Sequence, residues 1–175
     1  MPSAFTHALV GLGLAEVAVV RPMPVSFYVL SVGLAAAPDL DVLAFNFGIP
    51  YGALFGHRGF AHSLLCALLA GLLAGVLSAG LFATPWWLLA AYFVGVVASH
   101  GLLDGFTNGG LGIAFFSPFD RTRYFFPWTP IQVAPLGLAF FSPWGLRAVR
   151  SEVVWVWVPL AALVGAVVLC RRLMP

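Results

Sequence analysis

Long apolar runs, separated by short interruptions of proline, arginine and aspartate, restrict the fold of this chain more than any other feature. A helix needs roughly 20 mostly apolar residues to cross a bilayer. Runs approaching that length cover residues 4–20, 25–41, 62–83, 85–104 and 153–170. Of the 175 residues, 62% are hydrophobic and only 8% are charged, against about a quarter charged in a soluble domain. We therefore predict an all-α integral membrane protein, one domain (1–175) built as a bundle of about five transmembrane helices.

A segment rich in aromatic residues and proline, residues 105–151, lies between the fourth and fifth runs. It contains two similar patches, Phe115–Phe119 and Phe140–Trp144. The prolines argue against another full span, and aromatic side chains favour the membrane interface. We expect interfacial or re-entrant pieces that cap the bundle. They would serve as an anchor in the headgroup region or as an apolar entrance for a lipid substrate.

Composition excludes several other classes of protein. A formal net charge of +2 with scattered arginines argues against a nucleic-acid partner. Cys66 and Cys170 fall at opposite ends of the predicted bundle, beyond the reach of a disulfide. The first apolar run contains His7 and Glu16 and lacks a basic beginning, unlike a cleaved signal peptide. We expect the lipid bilayer as partner and a prokaryotic-type cytoplasmic (inner) membrane as location; nothing indicates the oligomeric state.

All four histidines and three of the six acidic residues fall where the predicted spans meet one membrane face. Odd spans begin at the face that holds the N-terminus, here called face A, and even spans end there. The set is His7, Asp39, Asp41, His57, His62, His100 and Asp104. Such residues are costly in lipid unless they pair, bind metal or line a wet cavity. Only 13 residues separate Pro24 from Pro38, about 20 Å of helix, so we expect the site to be recessed below the headgroups.

The spacing within this set favours a metal site. His100 and Asp104 are four residues apart, which places both side chains on one helix face. The Asp-Leu-Asp sequence at residues 39–41 offers two carboxylates to a hard cation. The sequence His-Arg-Gly-Phe-Ala-His-Ser at residues 57–63 brings one imidazole from a loop and one from a helix start, where Ser63 is the expected N-cap. A His/Asp network that only fixes helix packing is the alternative.

Charge balance favours metal over that alternative. Three neighbouring carboxylates in a low dielectric cannot all stay ionised without compensation. Arg58 supplies one positive charge and is suited to bind a phosphate. One or two divalent cations would supply the rest, with Zn²⁺ the first choice and Mn²⁺ or Mg²⁺ also compatible. Glu16 lies nine positions after His7 and points about 180° away on an ideal helix, so we expect it outside the site.

These motifs resemble those of the YdjM-type membrane-bound metal-dependent hydrolases. The resemblance rests on Thr6-His7, on residues 38–41 and 57–63, and on His100–Asp104 with Thr107, and it covers about residues 6–108. It implies a membrane-embedded hydrolase and nominates the seven His and Asp residues as ligands or near-ligands. The pattern is also similar in kind to that of zinc-dependent phospholipases C. By that analogy we expect a phosphoesterase that acts on a lipid or lipid-linked phosphate.

The resemblance suggests a mechanism. A metal-activated water attacks the phosphoester, Arg58 steadies the developing charge, and Asp41 or His57 handles the proton. Two alternatives stay open: a transporter of metal ions or protons, and a non-catalytic protein with a structural His/Asp metal site. Five arginines on face A against three on the other face favour face A inside, but the margin is small and leaves the orientation open.

Overall fold

Helices dominate the part of the chain that the computed structural model describes, residues 1–19 and 21–173. Within those residues, five helices form the bundle. They are α1 (Ala4–Ala18), α2 (Val25–Ala36), α3 (Leu64–Ser78), α4 (Trp86–Gly105) and a last helix made of α5 (Pro143–Glu152) and α6 (Val158–Leu173), which a π-helical turn (Val153–Trp157) joins. The same residues contain two isolated β-bridges and no β-strand. The predicted all-α fold is confirmed.

The distribution of polar and apolar side chains fits a lipid surrounding. Val25–Phe47, Trp86–Gly105 and Pro143–Leu173 are long and apolar enough to cross a membrane, while α1 and α3 are shorter apolar helices. Large apolar side chains are exposed along the outer helix faces, whereas Arg58, Asp104 and Glu152 are fully buried. Apolar groups outside and polar groups inside are what a membrane requires, so the chain is an integral membrane protein.

Three of the predicted spans have different ends. The third span ends at Ser78 rather than near residue 83, and the other two differ because the sequence pattern treats prolines as helix breaks. Pro38 does not end the second helix; a 3₁₀ helix, Ala37–Phe47, continues it. The last helix begins at Pro143 rather than near residue 153, because the Ser142 side chain caps it and accepts from the backbone N–H of Trp144. Pro143 occupies the first helical position, where a missing N–H costs nothing.

Residues 106–142 cover the end of the bundle that holds the start of α3 and the end of α4. The backbone N–H of Leu64 donates to the carbonyl of Phe115, and that of Phe126 donates to the carbonyl of Gly105. The N–H of Ala134 donates to the carbonyl of Met1, next to the start of α1. The segment therefore caps face A, as predicted, although residues from Pro143 onward belong to the last helix.

Two glycines bring α3 and α4 into backbone contact. A Cβ atom on Gly71 would lie 2.3 Å from the backbone nitrogen of Val94, and one on Gly75 would lie 2.4 Å from the Cα of Ala90. Small residues four positions apart permit this close approach between helices. Because His62 lies two residues before α3 and His100 lies near the end of α4, the contact helps to set the spacing of two site histidines.

We expect Gly75→Ala to destabilise the protein by about 1–3 kcal/mol, since the added methyl overpacks a rigid backbone contact. Gly95 on α4 is a matched control, because a Cβ there meets nothing within 4 Å. Gly95→Ala should leave stability unchanged or raise it by up to about 1 kcal/mol through helix propensity. Thermal unfolding in detergent measures both variants. Equal stability of the two would show that the α3–α4 contact is loose.

Candidate metal centre

One end of the bundle collects all the histidines and the three aspartates that the sequence nominates. They come from the starts of α1 and α3, the end of α4, the 3₁₀ extension of α2 and the loop before α3. Neighbouring members lie within ion-pair distance of each other: His7, Asp39, Asp41, His57, His62, His100 and Asp104. The structure therefore brings these seven residues together at one end of the bundle, as the order of the spans predicts.

Helix α4 contributes His100 and Asp104, which lie one turn apart on the same buried face. Gly101 lies between them and lets α4 approach the chain before α3: a Cβ there would be 2.7 Å from the carbonyl oxygen of His62. This close approach places the His62 and His100 Nε2 atoms 3.0 Å apart. Two imidazoles are thus fixed at one point by backbone packing.

The 3₁₀ helix after α2 supplies the other two carboxylates and orients His100. In a 3₁₀ helix the N–H of residue 38 would bond the carbonyl of Ala35, but proline has no N–H. His100 Nδ1 lies 2.7 Å from that carbonyl oxygen and takes this place. Asp39 and Asp41 are two residues apart, so their side chains point about 120° apart around the 3₁₀ axis. Asp39 therefore faces His100, whereas Asp41 faces the loop that carries His57.

The loop before α3 is built around Asp41. Its carboxylate oxygens lie 2.6 Å from His57 Nδ1 and accept a hydrogen bond of 3.0 Å from the backbone N–H of Arg58. Arg58 has φ of 61°, a left-handed conformation that is uncommon outside glycine. Ser63 caps α3 by accepting from the N–H of Cys66, as predicted. The loop thus turns sharply enough to send the side chain of His62 back toward Asp41.

His62 occupies the centre of the cluster. Its Nε2 lies 3.6 Å from Asp39 Oδ1 and 3.5 Å from Asp104 Oδ2, and its Nδ1 lies 3.0 Å from Asp41 Oδ2. Both ring nitrogens of His62 therefore face carboxylate oxygens. A metal ion that binds here would have to displace any proton that the ring carries.

Two overlapping groups of side chains have the geometry of a metal site. The inner set is Asp39, His62, His100 and Asp104, and the outer set is Asp39, Asp41, His57 and His62. In each set, one ligand atom per residue lies within 4.8 Å of all the others. Both sets contain two imidazoles and two carboxylates, and they share Asp39 and His62. A shared carboxylate is a common feature of centres that hold two ions.

Several buried polar atoms of the cluster make no hydrogen bond, and a bound cation would give them a partner. Asp39 Oδ2, both carboxylate oxygens of Asp104 and Nδ1 of His62 are buried and make no hydrogen bond with acceptable angles in the described residues. Because Nδ1 of His100 donates to Ala35, its Nε2 keeps a lone pair in the neutral ring. That lone pair faces Asp39 Oδ1 at 3.2 Å, which is repulsive unless a proton or a cation lies between them. The donor set therefore fits a divalent cation.

His7 lies beside the inner set rather than within it. Its Nε2 is 3.3 Å from Asp104 Oδ1, and its ring stacks on that of His100 with centroids 3.7 Å apart. Neither ring nitrogen of His7 makes a hydrogen bond in the described part of the chain. The structure brings His7 to the pocket, and its role as a direct ligand stays a prediction.

Arg58 is fully buried, and its guanidinium has three protein partners. Its Nε lies 3.0 Å from Asp104 Oδ2, while its terminal nitrogens donate to the carbonyl of Gly109 at 2.7 Å and to Oγ1 of Thr107 at 2.9 Å. Thr107 in turn donates to the carbonyl of Asp104 at 2.7 Å. Arg58 therefore holds the end of α4 and the next turn together. The expected contact between Arg58 and substrate stays a prediction.

Comparison with known proteins agrees with the motifs. The profile of the YdjM inner membrane protein family matches residues 1–174. The chain belongs to the YdjM family. It is 38% identical over 182 aligned positions to the inner membrane protein YbcI of Escherichia coli (strain K12), covering 98% of this chain and 100% of that protein. No solved structure matches significantly. The family match confirms the predicted resemblance and the inner-membrane location, and it extends to the C-terminal third, where no motif had been matched.

Glu16 lies away from the metal centre of this YdjM-family chain, as predicted, and so does Asp120. Arg171 lies 3.9 Å from Glu16 at the opposite end of α1, and Asp120 accepts hydrogen bonds from Thr122 and Tyr124 in an exposed turn. Arg123 is half-buried. It donates to the carbonyl of His57 at 3.0 Å, and so supports the loop of the outer set.

Sequence reasoning missed one buried carboxylate of this YdjM-family protein, Glu152. It is fully buried at the start of α1, although the sequence places it beside the predicted fifth span and far from every motif. No motif or periodicity in the sequence marks this residue for burial.

Proposed function

We propose that this YdjM-family protein is a membrane-embedded metal-dependent hydrolase that cleaves a phosphoester of a lipid or lipid-linked phosphate. The observation that carries the proposal is the pair of overlapping donor sets that share Asp39 and His62. Structural metal sites have closed, single-ion ligand sets. Paired sites that share ligands are common in enzymes that hydrolyse phosphoesters.

The donor atoms favour Zn²⁺, because imidazole and carboxylate groups are among its usual protein ligands. The carboxylate content also suits Mn²⁺. A bound divalent ion would supply two kinds of chemistry here, the activation of water and the polarisation of phosphoryl oxygens. Arg58 fixes Asp104 and the Ala35 carbonyl fixes His100, so the chain itself holds the inner ligands in one orientation.

With an ion in the inner set and none in the outer set, Asp41 and His57 are the residues that we assign to proton transfer. Their side chains lie 2.6 Å apart, at hydrogen-bond distance, and form the outer edge of the pocket. Side chains of the inner set other than Asp39 are fully buried, whereas Asp39 and Asp41 keep side-chain exposures of 10% and 6%. The cluster therefore comes closest to the surface beside the 3₁₀ helix, and the Asp41–His57 pair lies where a proton could leave toward solvent.

The surface at this point supports a lipid substrate. The 3₁₀ helix exposes Leu40, Leu43 and Phe47 beside Asp39 and Asp41. A phosphate that reaches the pocket from this side passes an apolar surface, which suits a headgroup attached to acyl or prenyl chains. A soluble phosphoester gains nothing from such a surface.

The test is metal analysis of purified protein followed by hydrolysis assays in mixed micelles with and without a chelator. We expect one or two divalent ions per chain and chelator-sensitive cleavage of phospholipid or polyprenyl phosphate in preference to a soluble phosphoester. Asp41→Asn should lower turnover by about 10²–10⁴-fold while the inner set still binds metal. Asp120→Asn removes an exposed carboxylate and is the matched control, with unchanged turnover expected.

Protein that binds no divalent ion after purification with added Zn²⁺ or Mn²⁺ would overturn the metal centre. Bound metal without cleavage of any phosphoester class would overturn the hydrolase proposal alone. Metal uptake into proteoliposomes in that case would favour the transporter alternative. A stable ion with neither activity would favour a structural site.

A further inference from the structure

A buried carboxylate from the last helix binds the first turn of α1. Glu152 accepts hydrogen bonds from the backbone N–H of Ser3 at 2.7 Å, from the Ser3 hydroxyl at 2.6 Å and from the Thr6 hydroxyl at 2.6 Å. Its side chain is fully buried, and three short hydrogen bonds to a carboxylate are the condition under which such burial is tolerated. The interaction joins residues 149 positions apart.

Local structure in both helices supports this contact. Ser3 is the N-cap of α1, so the carboxylate lies at the positive end of the helix dipole. A π-helical turn follows Glu152, and Trp157 five positions later donates from Nε1 to the hydroxyl of Thr6 at 2.7 Å. A π turn brings residues i and i+5 onto one side of the helix, which is why Glu152 and Trp157 both reach Thr6. At the other end of α1, Arg171 donates to the carbonyls of Glu16 and Val17.

The neighbour of Thr6 in the chain is His7, the site histidine with no hydrogen bond of its own among the described residues. Its position beside Asp104 and its stacking on His100 therefore depend on where the first turn of α1 lies. The last helix packs mainly against α1, and Glu152 is the one carboxylate in the described residues that accepts hydrogen bonds from Ser3 and Thr6.

We infer that Glu152 is a positioning residue of the metal centre. By binding Ser3 and Thr6 it fixes the first turn of α1, and so holds His7 against Asp104 and His100. The inference rests on the proposed metal centre but not on the substrate or on the hydrolytic reaction. Without Glu152 the first turn of α1 is no longer fixed, so His7 loses its position beside Asp104 and His100.

Metal affinity tests this inference, because it requires no knowledge of the substrate. Zn²⁺ dissociation constants are measured by competition with a chromophoric chelator for wild type, Glu152→Gln, His7→Ala and the double variant. Each single variant should bind Zn²⁺ about 10–100-fold more weakly, the usual cost of losing a group that orients a metal site. The double variant should bind as weakly as His7→Ala alone, since Glu152 acts through His7. Glu16→Gln, the matched control at the far end of α1, should bind as wild type does.

Each other outcome overturns a distinct statement. Unchanged affinity in a folded Glu152→Gln protein, or additive losses in the double variant, would overturn the role of Glu152 while leaving the metal centre in place. Absence of Zn²⁺ binding in wild type would overturn the metal centre and this inference with it. If Glu152→Gln does not fold, Thr6→Val replaces it. That variant keeps the carboxylate and removes one donor, and the same weakening and the same lack of additivity with His7→Ala are required.

Discussion

Replacing His100 with alanine is expected to weaken divalent metal binding by at least about 100-fold, more than the loss of a group that only orients a ligand. His100 is held from both sides, since Nδ1 binds the Ala35 carbonyl and Nε2 faces Asp39 and His62. Its loss leaves the inner set with one imidazole. Metal content of purified protein and a competition titration with Zn²⁺ measure the effect.

Ser99→Ala is the matched control for this variant, because it lies one position earlier on α4 and its hydroxyl bonds the carbonyl of Val96 within the helix. It should retain wild-type metal content. Circular dichroism should show that His100→Ala keeps its helices, since the ring fills one position in a bundle held elsewhere by α3 and α4. If His100→Ala binds Zn²⁺ as tightly as wild type does, the inner set is not a metal site.

Replacing Arg58 with alanine is expected to lower the free energy of unfolding by about 3–5 kcal/mol, the range for breaking a buried ion pair from one side. Asp104 loses its closest cation, and the acceptors on Thr107 and Gly109 lose their donor. Added Zn²⁺ should restore part of the stability, because a cation in the inner set compensates the same carboxylate. Denaturant unfolding in detergent micelles with and without Zn²⁺ measures both effects.

Two further substitutions separate the contributions of charge, shape and backbone at position 58. Arg58→Gly should be about 1 kcal/mol more stable than Arg58→Ala, because glycine adopts the left-handed backbone without the cost of a Cβ atom. Arg58→Lys should recover little, since one ammonium cannot serve three partners in a planar arrangement. Full stability in Arg58→Lys would mean that charge alone is required and that the three contacts are incidental.

The location of the site could be predicted because span order decides which helix ends share a face. His7 and His62 lie near helix starts and His100 near a helix end. Counting the membrane crossings is therefore sufficient to predict that they lie at the same face. The i, i+4 spacing of His100 and Asp104 was sufficient to place them on one helix face. The 3₁₀ continuation after Pro38 was not predicted, because proline at the first turn of a 3₁₀ helix and proline at a helix break look the same in a sequence.

The supporting contacts could not be predicted from periodicity. Arg123 and Glu152 bind backbone groups that are distant in the chain, and such contacts depend on loop geometry that no local pattern encodes. Arg58 was expected to contact a phosphate because guanidinium groups suit that ligand. Two of the partners of Arg58, Thr107 and Gly109, lie in the turn after α4. No sequence pattern predicts the position of that turn. Composition predicts that a buried charge needs a partner, but it does not identify the partner.

The contact between Ser3 and Glu152 also determines when the pocket can be completed. All seven donor residues belong to the first 104 positions of the chain, so the ribosome releases them before the last helix exists. Ser3 and Thr6 have no carboxylate to bind until residue 152 has been synthesised and the last helix has packed against α1. Membrane insertion of the first four helices therefore precedes the final geometry of the cluster, and we expect any metal ion to bind with full affinity only after the last helix has packed.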